Sequence, residues 1–157
     1  MPSYTFRKNY WMTMYSLPRR QSGATIVEMA IIAPVFLLVL VAIIELSMMF
    51  FATLTMQYAV REGGRYAITG QTADPNVVVA RIRDNSMGMF ERTSAQVSVN
   101  GTKYATYGKG MFGAPGDILV IQLDCGWPVT TPILSSFFTD GTYRFSVAAT
   151  MRNEIFP

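Results

Sequence analysis

The sequence predicts an α+β chain: a long N-terminal helix with a transmembrane segment, continuing into a small antiparallel-sheet domain outside the cytoplasm. Three observations lead there. Residues 29–44, MAIIAPVFLLVLVAII, hold no polar side chain, and a membrane crossing takes about 20 mostly apolar residues. The four bases before residue 24 (Arg7, Lys8, Arg19 and Arg20) stand without an acid among them. Beyond residue 70 the apolar period shortens to strict alternation in AQVSVNGTKY and YRFSVAATMRNEI, which is the period of a half-buried strand.

The leader, residues 1–23, explains the charge. The chain has 13 Lys and Arg against 10 Asp and Glu. Setting aside the four leader bases leaves nine bases against ten acids. The folded part is therefore close to neutral, and no basic patch suggests a nucleic-acid surface. A basic leader before an apolar span keeps the N-terminus cytoplasmic by the positive-inside rule. The domain beyond the span then lies outside the cytoplasm, which in a bacterium means the periplasm or beyond, with the span in the inner membrane. Tyr10, Trp11 and Tyr15 fit either contact with the membrane surface or incidental placement.

A helical pattern runs from Ala24 to about Ile68, so that residues 24–70 form one element, with its membrane span at about 29–51. At ~1.5 Å per residue such a helix outruns a bilayer core of about 30 Å, so its far half carries the outer domain, residues 71–157. Pro34 lacks a backbone donor and predicts a kink or local loosening near 30–34. Gly63-Gly64 is the first strong stop signal. Asp74 and Pro75 suit an N-cap and a first turn of a short helix over roughly 75–86. Its apolar face comprises Val78, Val79 and Ile82, extending to Met89. Asn100-Gly101 marks a hairpin, with Tyr104–Tyr107 as a possible return strand. The glycine-rich 105–116 reads as a loop. DILVIQLDCGWPV reads as a strand buried on both faces, and TPILSSFFTDGT as a connection with room for one helical turn. In the last strand Tyr143, Phe145, Val147, Ala149 and Met151 share a face, and the long helix covers one side of the sheet.

No catalytic residue, metal site or cofactor is expected, and the chain does not read as an enzyme or as a binder of a small-molecule substrate. It has no histidine, which removes imidazole acid–base work and the common histidine metal sites. GKGMFGAPG lacks the strand and helix context of a phosphate loop. Asp117, Asp124 and Asp140 read as carboxylates at strand ends and turns. The single cysteine, Cys125, excludes an intramolecular disulfide. Two readings of it stay open: a small buried residue, or a link between chains.

Two glutamates carry the functional question. Glu28 lies five residues after Gly23, at the mouth of the apolar run. An acid in the first turns of a helix is favoured by the helix dipole and remains hydrated near the interface. Gly23 fits a flexible joint, or a bond that a peptidase at the cytoplasmic face needs in extended form. Glu45 falls near the outer interface. Either it is a hydrated carboxylate there, or it meets a cation on another subunit's helix. It lies roughly 25 Å along the helix from Glu28 and about 100° around it, so the two engage different neighbours.

RRQSGATIVEMAIIAPVFLLVLVAIIEL followed by QYAVREGGRYAITG resembles the processed N-terminal region of TadE-like proteins of the tight-adherence (Flp/Tad) type IV pilus. The resemblance covers about residues 19–70. It implies cleavage after Gly23 by a prepilin peptidase, leaving the new amine on Ala24, and a role as a minor pilin or pseudopilin that primes, caps or decorates the fibre. Glu28, then the fifth residue, would neutralise a neighbouring subunit's N-terminal amine. The implied partners are the peptidase and the other pilin or pseudopilin subunits of the Tad apparatus. Met29 departs from the tyrosine usual in major Flp pilins, and the outer domain is larger than theirs. Both point to a minor component. The alternative is an uncleaved, signal-anchored envelope protein with a periplasmic binding domain, which leaves the spacing of Gly23 and Glu28 unexplained.

Overall fold

The computed structural model describes residues 22–69, 74–103, 108 and 110–155. Residues 1–21 of the leader, Gly70 and the expected return strand at Tyr104–Tyr107 lie outside the described residues. Helix α1 spans Ser22–Ile68, α2 Pro75–Asp84 and α3 Met89–Arg92. Strands β1 Gln96–Val99, β2 Thr102–Lys103 and β3 Ile118–Pro128 follow, then α4 Pro132–Ser135, a 3-10 turn at Thr139–Gly141, and β4 Thr142–Arg152. The sheet is antiparallel throughout, in the order β2-β1-β3-β4. The chain divides into two compact units, one ending at Phe36 and one running from Leu37 to the C-terminus.

The first unit contributes the start of α1, and its described side chains are almost all exposed. α1 is long and apolar enough to cross a membrane. It includes Pro34 as a helical residue. Proline offers the Ala30 carbonyl no donor there, yet the helix assignment is unbroken. Two hydroxyls in the apolar run bond back to their own helix: Ser47 Oγ donates to the Ile43 carbonyl at 2.7 Å, and Thr53 Oγ1 to that of Met49 at 2.9 Å.

In the second unit one stripe of α1 is buried. Glu45, Met49, Ala52, Met56, Ala59, Gly63 and Ala67 follow one another at three- or four-residue steps, and Val60 beside Ala59 is buried with them. This is the spacing of one helical face. The stripe covers the sheet face formed by Val97, Val99, Leu119, Ile121, Leu123, Cys125, Val147 and Ala149. Gly63-Gly64 does not stop α1. These glycines permit close packing instead. A Cβ on Gly63 would sit 2.3 Å from Ile82 Cγ1 of α2, and one on Gly64 would sit 3.2 Å from the Met151 side chain.

The shorter elements follow local chemistry. Asp74 Oδ1 accepts from the backbone N–H of Asn76 at 2.9 Å and caps α2. Val78, Val79 and Ile82 are its buried face, as expected, while Met89 belongs to the separate α3. Asn100 and Gly101 both take positive φ, 50° and 79°, as a two-residue primed turn requires. β3 corrects the expectation of burial on both faces: its exposure alternates, with Leu119, Ile121, Leu123, Cys125 and Trp127 inside and the intervening residues half-covered or exposed. Among the described residues, helix roofs only one face. The glycine-rich loop is tied down by Asn153, whose Nδ2 donates to the carbonyls of Phe112 at 2.8 Å and Ala114 at 3.0 Å.

Candidate functional site

Gly23 and Ala24 lie in the opening turn of α1 and are exposed. Among the described residues, a Cβ placed on Gly23 meets nothing within 4 Å. Packing in this chain therefore does not demand glycine there. Glu28 is also exposed on α1 and makes no ion pair or side-chain hydrogen bond among the described residues.

Glu45 is placed differently. It is 7% exposed, and its carboxylate is engaged by the segment that follows β3. Oε1 accepts from the Thr130 backbone N–H at 2.5 Å. Oε2 accepts from the Thr131 N–H at 3.1 Å, and from the Thr131 hydroxyl. The contact joins positions 85 and 86 residues apart. Both oxygens thus accept hydrogen bonds from the chain itself. Sequence reasoning singled out Glu45 but missed Thr130 and Thr131. No local pattern in TTPIL announces them.

A second apolar cluster sits beside this clasp. Met49 and Ala52 of α1 pack with Trp127 and Val129, and Leu134, Phe138 and Tyr143 close around them. The Arg92 guanidinium lies 4.7 Å over the Trp127 ring. Arg92, Gln96, Lys103, Asp124 and Arg144 also rim an open depression. Lys103 pairs with Asp124 at 3.4 Å and Arg144 with Asp140 at 3.3 Å, so part of its charge is already matched. Asp117 accepts the Ala114 N–H at 2.8 Å within its own loop.

Cys125 is buried in the main core. Burial pushes its thiol up from an ordinary 9.0 to about 11, against a smaller lowering by a hydrogen bond with Thr93, with the neighbouring Asp124 charge adding to the rise. The thiolate is therefore scarce at neutral pH.

Residues 23–65 match the family model described as TadE-like protein. No curated protein and no solved structure matches the chain. The matched segment starts at Gly23 and covers most of α1, including Glu28 and Glu45, while the sheet domain lies beyond it. The chain thus carries a TadE-like N-terminal segment with an apolar helix suited to single-pass anchoring, consistent with a TadE-like protein of the Tad pilus system.

Proposed function

We propose that the protein is a minor pilin or pseudopilin of a Tad-type pilus, cut between Gly23 and Ala24 by a prepilin peptidase and built into, or onto, the fibre through α1. The observation that carries this reading is the TadE-like match opening at Gly23. Two features support it. Gly23 has no packing reason to be glycine among the described residues. Glu28, fifth from the cut, is exposed and unpaired there, available for a neighbouring subunit's amine. Its work is assembly rather than catalysis. The N-terminus stays in the cytoplasm and the sheet domain lies in the periplasm, priming, capping or decorating the pilus.

The membrane span in this reading sits nearer the N-terminus than 29–51. From Glu45 onward one side of α1 is committed to the domain, with Met49 and Ala52 buried. Residues 24–44 supply the roughly 20 apolar positions that a crossing needs. Glu45 then lies at the outer edge of the span, where its clasp screens a charge that would be costly deeper in.

The test is the intact mass of the protein from cells that hold the peptidase. The expected mature chain begins at Ala24, and Gly23→Leu abolishes the cut. A wild-type chain that keeps its leader while a known pilin in the same cells is trimmed would overturn the assignment. It would favour an uncleaved anchored envelope protein.

A further inference from the structure

The segment after the clasp exposes apolar surface that the core does not use. In residues 132–138, PILSSFF, Leu134 and Phe138 turn inward against Met49, Ala52 and Trp127. Ile133 and Phe137, also four apart, face outward at 52% and 78% exposure. A phenylalanine so exposed on a short connection is costly in water. The position of this segment along α1 is set by the clasp, because Thr130 and Thr131 bond Glu45 directly. Immediately before Glu45 the helix exposes Leu37–Leu40, Val41, Ile43 and Ile44. The outward pair therefore sits on a segment tied to α1 at Glu45, where the helix's fully exposed apolar stretch ends. Arg92 stands at the same end, lining a recess with Val41, Ile44 and Met48. A cation beside apolar side chains is the pattern of a membrane interface, where long basic chains reach the headgroups.

We propose that residues 132–138 form an interfacial anchor that rests Ile133 and Phe137 in the headgroup region of the leaflet at the C-terminal end of the span. The occupant of this surface is the lipid bilayer. The inference rests on the reading of α1 as membrane-spanning. It adds a second attachment, which fixes the domain's orientation on the membrane rather than leaving it to swing on one helix.

The test uses the full chain in single-copy phospholipid nanodiscs, with an environment-sensitive fluorophore on Phe137→Cys, Leu40→Cys or Ile155→Cys. Ile155 is a matched control. It is apolar and 71% exposed, but lies at the opposite end of the domain, where the Glu154 N–H bonds the Ile68 carbonyl at 3.2 Å. Buried Cys125 stays unlabelled, as the wild-type chain verifies. Nitroxide lipids labelled near the headgroup are expected to reduce emission at position 137, and those labelled in the upper acyl chain at position 40, with no loss at 155. Quenching at 40 with position 137 behaving like 155 overturns the anchor and leaves the span intact. Absence of quenching at 40 defeats the span, and the anchor with it. A blue-shifted but unquenched probe at 137 indicates a protein neighbour instead of lipid, and also overturns the proposal.

Discussion

Glu45 brings a charge to the end of an apolar run and satisfies it with two backbone N–H groups and a hydroxyl. Hydrogen bonds to an ionised group contribute about 1.5–3 kcal/mol each when buried. Glu45→Gln keeps the shape but supplies one acceptor oxygen and a misplaced donor. We expect it to cost about 1.5–3 kcal/mol on the same scale, and to speed hydrogen exchange at the Thr130 and Thr131 amides selectively. Unchanged exchange there would show that the clasp contributes little. Cys125 makes a separate pH prediction. Its pKa is raised in the folded state, so the stability linked to its proton is full below about 9 and is lost as pH rises toward about 11. A thiol-reactive dye at pH 8 should label the unfolded chain readily and the folded chain slowly. Rapid labelling of the folded protein, or a disulfide-linked dimer on a non-reducing gel, would contradict burial as its controlling environment.

At the scale of elements, α1 serves two environments with one sequence of apolar residues. Its membrane part needs grease on every side, while its domain part needs small residues on one. Ala52, Ala59, Gly63 and Ala67 let the sheet and α2 approach closely. On an exposed helix Gly→Ala would stabilise by about 0.5–1 kcal/mol. At Gly63 the added methyl meets fully buried Ile82, and overpacking of this kind costs about 1–3 kcal/mol. Gly63→Ala should therefore be a net loss in thermal stability, and its cost should shrink in an Ile82→Ala background, where the clashing Cγ1 is gone. A stabilising single substitution would show that the helices part freely. The hairpin, the N-cap at Asp74 and the alternation of β4 were legible because each is a local pattern. The role of Gly63-Gly64 was not: a glycine pair reads locally as a helix stop, and only the neighbour across the gap reveals a contact.

At the scale of the molecule, the domain does not begin where the membrane pattern ends. The second compact unit starts at Leu37, and Met56, Ala59 and Val60 of α1 lie in the same core as the sheet. A sheet with one roofed face cannot keep that face dry without its helix. A chain shortened to residues 45–157 should remain cooperatively folded in mild detergent. One shortened to 71–157 should lose its near-ultraviolet dichroism and bind apolar dyes. Cooperative unfolding of the shorter chain would show that the sheet is self-sufficient.

The basic leader, the long apolar helix, the hairpin and the alternating final strand were all readable from the amino-acid order, since each depends on composition or on spacing between near neighbours. That order also singled out Gly23, Glu28 and Glu45 as residues out of keeping with a plain anchor. Tertiary structure alone decided which stripe of α1 is buried, because a uniformly apolar helix has no polar face to orient it. It alone decided the fate of Glu45, whose partners lie 85 residues away, and that of Phe137, whose exposure depends on Leu134 and Phe138 having taken the inward positions.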